Sequence, residues 1–356
     1  MSERTEVPKF AIVGAGVIGK HHGAVLGQLA GRAELVAVAD VEFERAERLA
    51  AERGGRPYPS MTAALAAEQI DVVVVCTPTG RHGEVAIEAL AADKHVILEK
   101  PAEITVERTD EIIRVQQKAG TLVTVISQHR FDPATEQTLA AIDRGEFGRL
   151  TSGIASIDWW RGQSYYDSGD WRGTWDLDGG GALMNQGVHT VDLLIAALGR
   201  PIEVFAYTGT LAHQRIEVED VAVGLVRFAS GALGVLHATT AAYPGLSARL
   251  QVHGDRGSAV IDNDEMAFFH ATPAGTDPEE KMMGKAQPTS GGSGDTAAAS
   301  NPGRLNDSHR RQYLNFLGAL AGTEKLRVDL PTNRQAIAVI TGAYESARTG
   351  RPVALS

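Results

Sequence analysis

The stretch FAIVGAGVIG, residues 10–19, decides the fold of the N-terminal part of the chain. An apolar run leads into three glycines with the spacing GxGxxG, and the apolar positions that follow recur at helical intervals. Such glycines also occur in ordinary tight turns. Between a strand and a helix, however, they are typical of the βαβ unit that binds a dinucleotide.

Each glycine has a physical reason in such a unit. Gly14 permits the tight turn, Gly16 lets backbone amides approach a pyrophosphate, and Gly19 allows close packing of the helix. The positive end of the helix dipole then faces the phosphates.

Asp40 ends the next strand, ELVAVAD (34–40), roughly 20 residues beyond the last glycine. Its carboxylate would accept hydrogen bonds from the ribose hydroxyls and repel a 2′-phosphate, and neither Val41 nor Glu42 supplies a cation. The sequence therefore predicts NAD rather than NADP as the cofactor. The alternative is that Asp40 caps the helix after it.

Further apolar strands follow at 70–78, 95–100 and 121–127, with helical patterns between them. Strands that are apolar throughout need cover on both faces. Residues 1–127 are therefore predicted to form a doubly wound parallel Rossmann sheet that binds NAD.

Residues 128–356 have a different pattern. Strands with period two predict a C-terminal α+β domain with a large open, mainly antiparallel sheet, whose uncovered face suits a partner subunit in a homodimer or homotetramer. Residues 271–303, rich in Gly, Ser, Pro and Thr, are expected to be a mobile excursion. A surface helix is expected over 310–320 and a second helix over 332–350.

Composition excludes several classes of protein. With 34 basic and 44 acidic residues among 356, the net charge of −10 gives no general attraction to nucleic acid or anionic membranes. The single cysteine, Cys76, allows no intrachain disulfide, and the N-terminus has no apolar signal core, so a cytoplasmic location is expected. The adjacent His21 and His22 do not have metal-ligand spacing, and no metal is expected.

Three later motifs complete a resemblance. CTPTGRH (76–82) and EKP (99–101) follow strands, and GGGALMNQGVHTVDLL (179–194) opens a buried helix. With GAGVIGKHH, these motifs resemble the glucose-fructose oxidoreductase, inositol dehydrogenase and MocA (Gfo/Idh/MocA) family over nearly the whole chain.

The resemblance implies the catalytic candidates. Lys100 of EKP would lie beside the nicotinamide and the reacting hydroxyl, and a cationic neighbour and desolvation would lower its proton affinity towards the working range. On the later helix, Asn185, His189 and Asp192 have spacings of four and three and so share one face. The family makes His189 the general acid/base and Asp192 a group that orients it or the substrate.

The alternatives are an exposed lysine at a strand end and an ordinary core histidine. Asn185 stands where many inositol dehydrogenases carry aspartate, which weakens an assignment to inositol, although the amide could still bind a sugar hydroxyl.

An aromatic segment, residues 159–181, holds all four tryptophans of the chain, with two arginines. Trp171 could stack on a sugar ring, and Arg161 and Arg172 suit a carboxylate or diphosphate. The substrate-binding candidates are Trp171, Arg172 and, outside this segment, Arg130. A buried loop or an oligomer contact is the alternative. The sequence of this segment, together with QHRFDPA and LMNQGVHTVD, resembles the branch of the family that oxidises C3 of UDP-N-acetylglucosaminuronate.

The sequence thus predicts an NAD-dependent dehydrogenase that oxidises a secondary hydroxyl of a cyclic polyol, sugar or sugar nucleotide. The alternatives are a ketosugar reductase running in reverse and a non-catalytic NAD-binding sensor or assembly protein. The resemblance of EKP to the family's turn further implies that the Lys100–Pro101 bond is cis, an isomer that is cheap only before proline. The cofactor-binding candidates are Gly14, Gly16, Val17, Ile18, Gly19, Asp40, Thr77, Pro78, His82, Glu99 and Lys100.

Overall fold

The computed structural model describes residues 6–273, 275 and 302–355, without the side chains of 302–306. The described residues fall into two compact units that are discontinuous in sequence. The first lies within Met1–Gln128, Asp176–Gly179 and Asn301–Arg334, and the second within His129–Trp175, Gly180–Ser300 and Gln335–Ser356.

The strands are β1 (Lys9–Val13), β2 (Glu34–Ala39), β3 (Arg56–Tyr58), β4 (Val72–Val75), β5 (His95–Leu98), β6 (Val123–Val125), β7 (Leu150–Asp158), β8 (Pro201–Gly209), β9 (Val221–Phe228), β10 (Leu233–Thr239), β11 (Ala248–Gly254), β12 (Gly257–Asp262), β13 (Glu265–Ala271) and β14 (Val353–Ala354). The α-helices are α1 (Val17–Gly27), α2 (Phe43–Arg53), α3 (Met61–Ala67), α4 (His82–Ala91), α5 (Val106–Ala119), α6 (Pro133–Asp143), α7 (Gln163–Tyr166), α8 (Val188–Leu198), α9 (Pro302–Leu320) and α10 (Leu330–Thr349).

The first unit is built on a parallel six-stranded sheet with the order β3-β2-β1-β4-β5-β6. Alternate residues of β1 enter two different cores: Phe10 and Ile12 pack on the side of α1 and α9, and Ala11 and Val13 on the other. All four valines of β4 are fully buried. The predicted doubly wound Rossmann sheet is confirmed.

The turn between β1 and α1 leaves no room for side chains at two of its glycines. Gly14 has φ +99°, and a Cβ there would lie 2.5 Å from the carbonyl oxygen of Cys76. A Cβ at Gly19 would collide with the carbonyl oxygen of Gly14. The glycine turn and the first turn of α1 are therefore packed backbone to backbone.

Helix α9 belongs to the core of the first unit. The expectation of a surface helix over 310–320 was wrong, because Tyr313 and Phe316 are fully buried and pack with Phe10 and Val25. The apolar positions of this helix are sparse among polar ones, which suggested a surface position. Residues 302–334, which the sequence analysis placed in the second domain, thus join the first unit.

The second unit contains an eight-stranded sheet with the order β13-β12-β11-β7-β10-β9-β8-β14. Its pairs are antiparallel apart from β7 with β10, which confirms a mainly antiparallel sheet. The two edge strands β13 and β14 and, in the first unit, the short β3 were not expected from the sequence. The excursion expected over 271–303 falls largely on 274 and 276–301, outside the described residues; Ala271 still belongs to β13 and α9 begins at Pro302.

The helix that follows the glycines 179–181 begins irregularly. Ala182–Gly187 forms a π-helical turn, and α8 continues from Val188. None of the helices in the described ranges is long and apolar enough to cross a bilayer.

Two glycines of α1 provide a matched test of this packing. We expect Gly19→Ala to lower stability by about 1–3 kcal/mol, because the new methyl group meets the Gly14 carbonyl. Gly27→Ala, at the end of the same helix with no atom within 4 Å of the new methyl, should be neutral or stabilise by up to about 1 kcal/mol. Thermal unfolding of both variants measures this, and equal stabilities would contradict the close approach.

Candidate active site

Asp40 connects the glycine turn to the end of β2. One carboxylate oxygen accepts from the amide of Ala15 at 2.7 Å and the other from the amide of Glu42 at 2.8 Å. A carboxylate has about four acceptor positions, so roughly two remain for ribose hydroxyls. Helix α2 begins only at Phe43 and receives no side-chain cap, so Asp40 fixes the preceding turn rather than the helix end.

The residues around this turn fit a dinucleotide. Among the described residues, no atom apart from the chain neighbours lies within 4 Å of the position of a Cβ on Gly16, and α1 has no side-chain cap at its N-terminus. Val17 and Val41 are 87% and 93% exposed, which is unusual for valine beside a glycine turn and suits apolar contact with a ligand. The hydroxyl of Thr77, at the tip of β4, is buried without a hydrogen-bond partner among the described residues. Ile18 is partly buried against the core.

The two strand-end loops are fastened together by His82. Its ring nitrogens lie 2.9 Å from the carbonyl oxygen of Thr77 and 2.8 Å from that of Pro101, and the residue is 1% exposed. The predicted cis bond between Lys100 and Pro101 is confirmed. His82 thus holds these loops, in which Pro78 precedes a 3₁₀ turn, and its own contact with a cofactor stays a prediction.

Glu99 is a buried carboxylate directly before Lys100. It accepts from His22 Nε2 at 2.8 Å and from the Lys100 amide at 3.0 Å. Burial alone would raise the pKa of Glu99, but hydrogen bonds from His22 and His309 outweigh it and hold the pKa well below its usual range. The residue directly before the catalytic candidate Lys100 is therefore an ionised carboxylate. Lys100 itself is half-buried.

The partners of Glu99 come from two helices. His22 on α1 is fully buried, and its Nδ1 lies 2.7 Å from the hydroxyl of Tyr313 on α9. Burial, and secondarily the neighbouring histidines, lower the pKa of His21 to about 3, so this ring is neutral. His309 and Tyr313 were not expected from the sequence, because nothing in SHRRQYLNFL indicates that the helix reaches a strand end more than 200 positions earlier.

In the second unit, Glu219 holds the start of the helix that carries Asn185 and His189. Its carboxylate accepts from the amides of Gly181 at 2.9 Å and Leu183 at 2.8 Å, and its carbonyl accepts from Ala182 at 3.0 Å. Tyr344 donates to the carboxylate at 3.0 Å, and its oxygen also accepts from the Met184 amide at 3.2 Å. The first amides of the helix, which have no partner within a helix, are all satisfied by these two residues.

Arg130 and Asp192 contact each other. Arg130 donates to the Asp192 carboxylate through Nε at 2.6 Å and Nη2 at 2.7 Å, and both residues are buried. This bidentate pair supplies the partner that a carboxylate on a buried helix needs. A substrate contact by either residue stays a prediction. His189, on the same helix, is half-buried, with its ring edge-on to the ring of His129.

The aromatic segment holds two guanidinium groups. Arg172 lies 4.4 Å from the ring centres of both Tyr165 and Trp171, and Arg161 lies 4.9 Å from that of Trp159. Within the described ranges, neither arginine forms an ion pair with a carboxylate. The Trp159 N–H is buried with no acceptor there. These rings therefore position cations, and the cluster presents hydrogen-bond donors.

The described residues contain two clusters of potential metal-ligand atoms, and within each cluster the atoms lie within 4.8 Å of one another. One cluster is His22, Glu99 and His309, and the other is His129, Asp132 and Asp264. Contacts between histidine and carboxylate account for the spacing in both groups. The expected absence of a metal stays a prediction.

A Rossmann sheet with an NAD-type glycine turn and an acid at the tip of β2 defines the class of protein: an NAD-dependent oxidoreductase. Residues 8–127 match the model of the oxidoreductase family with an NAD-binding Rossmann fold, and residues 135–260 match that of the GFO/IDH/MocA C-terminal domain. The chain belongs to the Gfo/Idh/MocA family.

Similar proteins include dehydrogenases of cyclitols and of sugar nucleotides. Inositol 2-dehydrogenase of Rhizobium meliloti is 30% identical over 72% of this chain and 76% of its own length. The WlbA dehydrogenase of Bordetella pertussis, solved with NADH and UDP-GlcNAcA, is 32% identical over 99% of both chains with a TM-score of 0.85. The Chromobacterium violaceum WlbA dehydrogenase, solved with the same ligands, is 31% identical over 100% of this chain and 98% of its own, with a TM-score of 0.86. This chain is thus an NAD-dependent enzyme that acts on CH–OH groups.

Glu219 predicts a measurable pH dependence. Burial raises its pKa to about 7, against the lowering effect of the backbone and Tyr344 hydrogen bonds. A carboxyl whose pKa is higher in the folded than in the unfolded state contributes stability that is lost as pH rises, here between about 4.5 and 7. We expect Glu219→Gln to remove this component and, because an NH₂ group then faces an amide N–H, to cost about 1–3 kcal/mol at pH 6.

Thermal unfolding from pH 5 to 8 measures both effects. Glu217→Gln is the matched control, since Glu217 is exposed and accepts only from the Trp175 amide among the bonds described. A pH profile of Glu219→Gln that parallels the parent protein would refute the assignment.

Proposed function

We propose that this enzyme oxidises a secondary hydroxyl of a UDP-linked sugar acid, with UDP-N-acetylglucosaminuronate or a close relative as substrate. The observation that carries the proposal is the cluster of Arg161, Arg172 and the Trp159 N–H. It offers two guanidinium groups and an N–H without partner carboxylates among the described residues. A diphosphate and a uronate carboxylate supply the acceptor oxygens that such donors require. An uncharged cyclitol has no anionic oxygens to pair with the two guanidinium groups.

The similar WlbA dehydrogenases, solved with UDP-GlcNAcA, support this substrate class. Inositol dehydrogenases are also relatives. Asn185, an amide where many inositol dehydrogenases carry aspartate, and the two arginines Arg161 and Arg172 favour an anionic substrate over inositol.

We assign the removal of the proton from the substrate hydroxyl to Lys100 and His189. NAD, when bound, supplies the acceptor for the hydride that leaves the carbinol carbon. Lys100 follows the ionised Glu99, whose carboxylate accepts from the Lys100 amide and so fixes its backbone. His189 is half-buried on a helix whose N-terminal turn is fixed by Glu219 and Tyr344. Both side chains are thus carried on rigid elements, as general acid/base groups require.

A substrate panel tests the proposal. With NAD, the reduced-nicotinamide absorbance should rise with UDP-N-acetylglucosaminuronate. The kcat/KM for UDP-N-acetylglucosamine, which lacks the carboxylate, should be at least about 10-fold lower, the worth of one charge-assisted hydrogen bond. Lys100→Met and His189→Ala should each lower kcat by roughly 10²-fold or more with NAD affinity retained. The double variant should lose little more than the worse single one, because one proton path is interrupted only once.

Arg172→Gln should raise KM with little change in NAD affinity, and Arg144→Gln, at an exposed arginine paired with Glu146, is the control. Comparable turnover of inositol and the UDP-sugar acid would refute the substrate class. Normal turnover of both Lys100→Met and His189→Ala would favour a binding protein.

We further propose that the chain forms a homodimer or homotetramer through the eight-stranded sheet. One face of β8, β9 and β10 is apolar and exposed, with paired residues on neighbouring strands; its members are Tyr207, Val223, Leu225, Leu233 and Val235. The same face carries an ion pair between His237 on β10 and Asp158 on β7. A second copy of the chain provides the same apolar patch and the same charges, so it can cover this face across a two-fold axis.

Sedimentation should therefore show an oligomer that Leu225→Asp dissociates. Leu211→Asp is the control, since Leu211 is 77% exposed but lies in a loop outside the sheet. A monomeric parent protein, or an unchanged Leu225→Asp oligomer, would contradict this assembly. The expected cytoplasmic location stays a prediction.

A further inference from the structure

His129 is held between two carboxylates. Its Nδ1 lies 2.9 Å from an oxygen of Asp132 and 2.9 Å from an oxygen of Asp264, and its side chain is 21% exposed. Burial alone would lower the pKa of His129, but the hydrogen bonds and charges of the two aspartates outweigh it and raise the pKa to about 10. The ring is therefore an imidazolium at neutral pH.

Both carboxylates are placed by the backbone. Asp132 precedes Pro133 at the start of α6, and its side chain makes no cap hydrogen bond to that helix. Asp264 is the second residue of the two-residue turn between β12 and β13, with φ +66° after Asn263 at +48°. Positive φ at both positions defines a type I′ hairpin, which asparagine and aspartate tolerate. The Asn263 amide oxygen accepts from Ala248 at 3.1 Å and so locks the turn to β11.

The fixed imidazolium packs against His189. The ring centres of His129 and His189 are 5.0 Å apart with an interplanar angle of 85°. Two histidines in this edge-to-face contact restrict each other's rotation, and a charge on one ring acts on the proton affinity of the other at this distance.

We propose that His129, clamped by Asp132 and Asp264, is a positioning residue that sets the orientation and the protonation of His189. The proposal deepens the proposed function and rests on it for the role of His189 in catalysis. The clamp is built from residues on the turn before α6 and on an edge hairpin, and they converge on a histidine that contacts His189.

The charges determine the sign of the effect. The clamp has a net charge of about −1 when His129 is protonated, and the neighbouring Arg130 and Asp192 form a neutral pair. His129→Gln removes the cation and leaves both aspartates, so it should make His189 easier to protonate. Asp264→Asn removes one negative charge while Asp132 still holds the cation, so it should make His189 harder to protonate.

The titration of His189 measures this directly in the full-length protein, without reference to catalysis. With ¹³C-labelled histidine and EDTA to exclude metals, the His189 resonance is assigned by its loss in His189→Gln. We expect its midpoint to move up by about one pH unit in His129→Gln and down in Asp264→Asn. His270→Gln, at an exposed histidine on β13 of the same hairpin, should leave the midpoint unchanged.

The acid limb of kcat/KM for the UDP-sugar acid should move in the same two directions. If the NMR midpoint moves as expected and the acid limb does not, the effect of the clamp on His189 is supported. The same result would contradict the role of His189 in proton transfer. An unmoved midpoint in both variants, or shifts of the same sign, would overturn the inference.

Discussion

The close approach of Gly19 to the carbonyl of Gly14 is the constraint on which the first unit depends. It places the N-terminus of α1 directly over the end of β1, and Gly14 in turn packs on the carbonyl of Cys76 at the end of β4. Three backbone segments thus meet without side chains between them. Phosphate binding at a helix N-terminus requires this nearness, because the partial charge of the helix end acts only within its first turn.

The candidate catalytic residues of both units are supported by buried carboxylates. Glu99 fixes the Lys100 backbone, and Glu219 fixes the start of the helix that carries His189. The two acids differ in their surroundings. Histidines keep Glu99 ionised, whereas Glu219 receives mainly neutral amide and hydroxyl donors, and burial raises its pKa. Loss of either carboxylate is therefore expected to disturb the position of a catalytic candidate, although neither carboxylate has to contact the substrate.

Much of this architecture could be predicted from the sequence, because short-range patterns carry it. The glycine spacing and the all-valine β4 identified the Rossmann sheet, and Lys100 and His189 came from motifs. The partners of the neighbouring histidines, His22 and His129, could not be predicted. Tyr313 is on a polar helix that packs on α1, and Asp264 reaches His129 only through a hairpin turn. Such contacts depend on tertiary structure, which the local periodicity of the sequence does not indicate.

The aromatic segment shows the same limit in another form. Its composition suggested sugar stacking, yet the rings of Tyr165 and Trp171 are occupied by Arg172. Residue types were enough to predict a surface that combines aromatic rings with cations, and its ligand stays a prediction. The chemistry of that surface emerged only from which side chains pair.

Helix α9 has a consequence for the order in which the protein matures on the ribosome. The residues that fill the core beside β1 and partner the buried His22 lie on α9, after the strands β7–β13 of the second unit. The nascent first unit therefore exposes apolar surface around Phe10 and Val25 while the second is still being synthesised. The core on one face of its Rossmann sheet is therefore completed late, and a chaperone that shields apolar surface has a defined interval in which to act.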